Sequence, residues 1–204
     1  MEEKNNNNLG IINKKLMSGQ EELIYKNISI NYKLIDFWKW SVSDLISNAT
    51  RGRFAEFIVA TALNININCV RDEWSAFDLT TNDGIKIEIK SSAFMQSWNQ
   101  KKPSVVSFSI KRSKSWDPES NLQSKEKSIQ ADVYVFCLLK PKTKENINPL
   151  NMDQWGFYVL NKNEIENYKR SQHSITLPSL EKLTNQINYE AIKDHVYYKY
   201  KILN

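Results

Sequence analysis

Asp78 and the triplet Glu88-Ile89-Lys90 stand on either side of Asn82-Asp83-Gly84, a strong turn signal between two strand-like runs. In the second run Ile85, Ile87 and Ile89 alternate with Lys86, Glu88 and Lys90, so one face is apolar and the other charged. A two-residue Asp83-Gly84 turn would pair Asp78 with Ile89 and bury its carboxylate among isoleucines, at a cost of several kcal/mol if unpaired. A three-residue Asn82-Asp83-Gly84 loop, with Gly84 left-handed, puts Asp78 opposite Glu88, Leu79 opposite Ile87, Phe77 opposite Ile89 and Ala76 opposite Lys90. Burial thus selects the register that brings the two carboxylates together, with Cβ atoms ~5 Å apart. Two such charges repel unless a cation joins them, and magnesium accepts carboxylate oxygens at ~2.1 Å while keeping waters for chemistry. Lys90 projects on the same side, where an ammonium stabilises a pentacovalent phosphate or orients an attacking water. A charged hairpin face is by itself more often a plain solvated surface.

The elements that must position this hairpin are legible around it. Ser43 makes an N-cap for a stretch whose helix runs from about Ala49 to Leu63, with Phe54, Phe57, Ile58 and Ala62 on one face. Glu56 sits among those apolar residues and needs a partner if it is not on the exposed side. Strands are expected at residues 77–81, 85–91, 105–110, 132–139 and 155–160, the fourth buried on both faces. Helical stretches follow near residues 163–170 and 179–184, before an aromatic, basic tail with Tyr197, Tyr198 and Tyr200. The cluster Phe37, Trp38, Trp40 is expected to pack on the domain, and Trp98 and Trp116 to pack as core or cover. The pattern is α/β, a mixed central sheet of about five strands flanked by helices.

The string Asp78…Glu88-Ile89-Lys90, with Glu56 on the preceding helix, resembles the PD-(D/E)XK nuclease signature. Phe77 stands where the signature's proline would be, a departure frequent in that superfamily. The resemblance implies a restriction-endonuclease-like fold and a magnesium-dependent DNA endonuclease, with manganese as a substitute. It further implies Asp78, Glu88 and the Ile89 carbonyl as metal ligands, Lys90 assisting the water and Glu56 completing the site. A role in defence or in processing mobile DNA comes from the superfamily alone. The stretches around EIKSSAFMQSWNQKKPSVVSFSI, ADVYVFCLL and DQWGFYVL also resemble a family of uncharacterised bacterial proteins, a likeness covering residues 40–169 that carries no chemistry.

Candidate nucleic-acid contacts are Arg51 and Arg53 at the start of the Glu56 helix, Ser91 and Ser92 after Lys90, Gln96 and Gln100 beyond them, and Lys111 and Arg112 after the third strand. At any single position an exposed basic loop is the commoner reading. The rival classes are a non-catalytic DNA-binding module of the same fold, and a nuclease subunit of a larger complex.

Composition bounds the rest. The 204 residues suit one domain (residues 21–204, core about 40–170) behind a polar, Asn-rich arm over residues 1–20. A net charge of +5 permits a polyanionic partner without requiring one. Cys69 and Cys137 form no disulfide framework, His173 and His195 lack zinc-site spacing, and no membrane span or secretory leader is visible. The expected compartment is the cytoplasm, the expected partner DNA, with a homodimer or a partner protein for cutting both strands.

Overall fold

A computed structural model describes residues 10–117, 120–171 and 173–203. The chain opens with a hairpin, β1 (Glu22–Tyr25) and β2 (Ile28–Lys33), followed by α1 (Leu34–Val42). Then come α2 (Asn48–Ala62), β3 (Leu79–Thr80), β4 (Lys86–Ala93), β5 (Ser107–Ser109) and a small ribbon of β6 (Trp116–Asp117) and β7 (Leu122–Gln123). The second half holds β8 (Val133–Leu139), β9 (Trp155–Asn161), α3 (Lys162–Glu166), β10 (Ser174–Thr176), α4 (Leu177–Leu180) and α5 (Ile192–Leu203).

The central sheet is mixed and has four strands in the order β3-β4-β8-β9. β4 runs antiparallel to β3 and parallel to β8, and β8 antiparallel to β9. The third expected strand forms at residues 107–109 but pairs with β10 in a separate two-stranded sheet, which leaves four strands in the centre instead of five. Every residue of β8 is buried, because apolar layers cover both faces. One layer packs Ala55, Ile58 and Val59 of α2 and Ile192 and Val196 of α5 against Ile87, Ile89, Val135, Cys137 and Phe157. The other packs Val106, Phe108, Ile129, Ile175 and Leu180 against Tyr134, Phe136, Leu138 and Tyr158.

The Glu56 helix begins one residue before its expected start, and its N-cap is Ser47 rather than Ser43. Its inward face carries Arg51, Ala55, Ile58 and Val59, spaced i, i+4, i+7, i+8, whereas Phe57 is half exposed. Phe37 and Trp40 are exposed rather than packed on the domain, since α1 contributes no buried residue. Trp98 is exposed too, while Trp116 meets Trp74 edge-on with centroids 5.4 Å apart. The Asn-rich residues 1–9 lie outside the described residues. Residues 10–20 form no helix or strand, yet Lys14 pairs with Asp72 at 3.1 Å and Gly19 accepts the Ile35 amide. Among the described residues no helix is long and apolar enough to cross a membrane.

Candidate active site

The hairpin adopts the three-residue loop. Gly84 has φ +84°, its amide donates to the Thr81 carbonyl at 2.9 Å, and Thr81 N–H donates to Ile85 O at 3.0 Å. The buried Thr81 hydroxyl accepts the Ile85 amide, and Tyr197 of α5 donates to Asp83 Oδ2 at 2.5 Å, tying the loop to the body. Leu79 therefore faces Ile87 and Thr80 faces Lys86. The expected pairing of Asp78 with Glu88 is not made: the Asp78 amide turns to the carbonyl of Ile87, the residue that already faces Leu79. The ladder itself stops at Leu79, short of the expected Phe77–Ile89 pair. The Ile89 amide goes instead to Asp78 Oδ2 at 2.7 Å. Asp78 is thus held by backbone on both its amide and its carboxylate.

Glu88 is not on a solvated face. It stands opposite Tyr134 in the parallel pairing with β8, where the second apolar layer covers the sheet. Burial raises its pKa above the ordinary carboxylate value and the Asp78 charge raises it further, while the ion pair with Lys90 only partly opposes them. Glu56 behaves alike: burial lifts its pKa, the hydrogen bond from Arg71 pulls it down, and Asp78 pushes it up again. Three carboxylates, Glu56, Asp78 and Glu88, thus sense one another's charge across α2 and the hairpin.

Arg71, which the sequence reading did not single out, joins this carboxylate cluster. It lies in the segment between α2 and β3, ion-pairs with Glu56, donates to Glu73 at 2.7 Å, and brings Nη2 to 3.8 Å from Asp78 Oδ1. Its only signal is the Arg71-Asp72-Glu73 run in a stretch without periodicity. Arg53, Glu56, Arg71 and Asp78 line a cleft of about 430 Å³ together with Phe57, Ile67 and Phe77.

The residues suit a hard cation by donor chemistry. Asp78 and Glu88 offer carboxylate oxygens, and magnesium is commonly held by one or two carboxylates with waters. The carbonyls of Ile85 and Ile87 bond toward β3, so strand alternation turns that of Ile89 to the same edge, beside Asp78. Among the described residues no group of three or more His, Cys, Asp or Glu side chains is placed to hold a metal. A protein-derived third ligand would therefore be the Ile89 backbone.

The eight candidate nucleic-acid contacts divide in two. Arg51 is only 3% exposed, and its guanidinium donates to Ile46 O, Asn48 Oδ1, Gln96 Oε1 and Ser91 Oγ. Gln96 is buried as well, and its backbone N–H donates to Gln100 Oε1 at 2.6 Å. Arg51 and Gln96, candidates for nucleic-acid contact in the sequence, are interior, with four acceptors converging on one guanidinium; Ser91 and Gln100 belong to the same network. Arg53 is exposed and lies 3.7 Å from Glu73, Lys111 and Arg112 are exposed after β5, and Ser92 is half-buried.

The model of one protein family, described as bacteriophage T4 endonuclease IV, matches residues 4–179. That span contains Glu56, Arg71, Asp78, Glu88 and Lys90. No curated protein matches the chain.

Proposed function

The chain belongs to the bacteriophage T4 endonuclease IV family, and on that premise we propose that it is a magnesium-dependent DNA endonuclease whose site is Asp78, Glu88 and Lys90 with Glu56 beside them. The observation that carries this reading is the hydrogen bond from the Ile89 amide to Asp78 Oδ2, which holds that carboxylate at the strand of Glu88 and Lys90, themselves ion-paired. The PD-(D/E)XK resemblance supports the same assignment.

In the proposed reaction a water adds to phosphorus and one ester P–O bond breaks. The Ile89 amide orients Asp78 through Oδ2, leaving Oδ1 on the side of Arg71. Asp78, Glu88 and the Ile89 carbonyl would hold magnesium, which when bound offsets their charge and lowers the pKa of a coordinated water. Lys90 opposes the negative charge that develops on the phosphoryl oxygens. Glu56 holds Arg71 in place beside Asp78.

A non-catalytic DNA-binding module is the second reading, favoured by the guanidinium that lies between Glu56 and Asp78. Supercoiled plasmid and single-stranded DNA, incubated with magnesium, manganese or chelator, separate the two. The endonuclease reading expects nicking that chelator stops and that Asp78→Ala and Lys90→Ala each reduce at least about a hundredfold. Binding without nicking under either metal would leave the non-catalytic reading; variants that cut as well as wild type would refute the site.

A further inference from the structure

We infer that Arg71 binds a substrate phosphate in the cleft it lines, an assignment that rests on the site proposed above. Its guanidinium is anchored on one side and exchangeable on the other. Nε is ion-paired to Glu56, whose side chain is only 13% exposed, so that partner is fixed from beneath. Nη1 donates to Glu73, whose side chain is more than half exposed and lies 3.7 Å from Arg53 as well. An ion pair in that setting contributes little, so a phosphate can take the place of Glu73 at small cost. Nη2 lies 3.8 Å from Asp78 Oδ1, beyond hydrogen-bond range, and its edge opens on the cleft.

The Nη1–Nη2 edge is thus the planar fork that matches two phosphate oxygens, held about one atom's width from the carboxylate assigned to the chemistry. A phosphate on that fork lies beside Asp78. Among the described residues the ion pairs of this cluster join Glu56, Glu73, Asp78 and Glu88 to Arg53, Arg71 and Lys90, four carboxylates against three cations. A site for phosphodiesters with surplus negative charge needs a directed donor as well as a metal ion, and Arg71 is aimed as one. The opposing account makes Arg71 a counter-ion for Glu56 and nothing more.

Salt dependence tells the two apart, because each neutralised phosphate adds about 0.7 to 0.9 to the slope of log affinity against log salt. A fluorescein-labelled oligonucleotide of mixed sequence, as single strand and as duplex, is titrated with the full chain in calcium by anisotropy across a salt series. Arg71→Ala is expected to weaken binding on the order of tenfold and to lower the slope by about that one-phosphate increment. Arg71→Lys should restore the slope, because a point charge still neutralises a phosphate, while kcat falls for want of the fork. Glu56→Gln combined with Arg71→Ala relieves the unpaired buried carboxylate and must show the same slope change if folding is the concern. An unchanged slope in Arg71→Ala and in the double variant, or no binding by wild type, overturns the inference. Wild type that binds through Arg71 yet never nicks plasmid sinks the endonuclease reading alone; wild type that nicks while the slope ignores Arg71 sinks this one alone.

Discussion

Glu88 carries a proton more readily than a free carboxylate because it is buried against the second apolar layer and senses the Asp78 charge. Its folded pKa lies above its unfolded value, so the folded state binds the extra proton, and stability is full below about 4.5 and declines as pH rises through the raised value. In chelator, the melting temperature of wild type should therefore fall above that pH, and Glu88→Gln should flatten the fall; equal slopes would contradict the assignment. Added magnesium, if held by Asp78 and Glu88, favours the ionised form and should raise the melting temperature of wild type at neutral pH but not that of Glu88→Gln. The alternation that turns Glu88 and Lys90 away from the layer of Ile87 and Ile89 was legible in the sequence, because a strand's period of two assigns faces without knowledge of the rest of the molecule. Arg71 was not, because its place depends on how residues 64–77 lie over α2, which no local period records. Arg51 was misread for a related reason: a guanidinium at a helix start is ordinarily exposed, and only the tertiary convergence of Ile46, Asn48, Ser91 and Gln96 buries it.

At the scale of the elements, everything turns on the loop that sets the hairpin's register. Gly84 sits at φ +84° with open space where a Cβ would be, so Gly84→Ala meets no clash and carries only the left-handed backbone penalty. It should destabilise the fold by about 1–2 kcal/mol by denaturant titration. Gly84→Asn should cost visibly less, since Asn tolerates that conformation; equal costs would show that the loop is not left-handed there. The hairpin was predictable because its turn carries Asn-Asp-Gly. The β1–β2 hairpin was not: Lys26 and Asn27 adopt φ of 49° and 64° without a glycine to announce the turn. α5 was hidden in an aromatic tail of weak helix formers; packing of Ile192 and Val196 against the sheet offsets that weak propensity. The strand at residues 107–109 was found but assigned to the wrong sheet, because its partner β10 lies more than sixty residues away and pairing that distant leaves no mark on local pattern.

For the whole molecule, β8 is the element on which both apolar layers depend, and β4 with its Glu88 and Lys90 hangs from it by a seven-residue parallel ladder. Trp155 reports on the layer beneath α2 and α5, and Phe136 belongs to the opposite one. If the two layers fold as one unit, Phe136→Ala should lower stability by about 3–5 kcal/mol and, in a background where the other five tryptophans are replaced by Phe, shift the Trp155 fluorescence transition together with the circular-dichroism transition. Separate midpoints would mean that the layers unfold independently and that the site rests on only one of them. Trp40, 84% exposed on a helix without a buried residue, is the control: Trp40→Ser should change stability by less than about 0.5 kcal/mol. A loss of several kcal/mol there would reveal packing by the β1–β2–α1 unit that its exposure argues against, and would make that unit part of the scaffold holding Asp78 and Glu88.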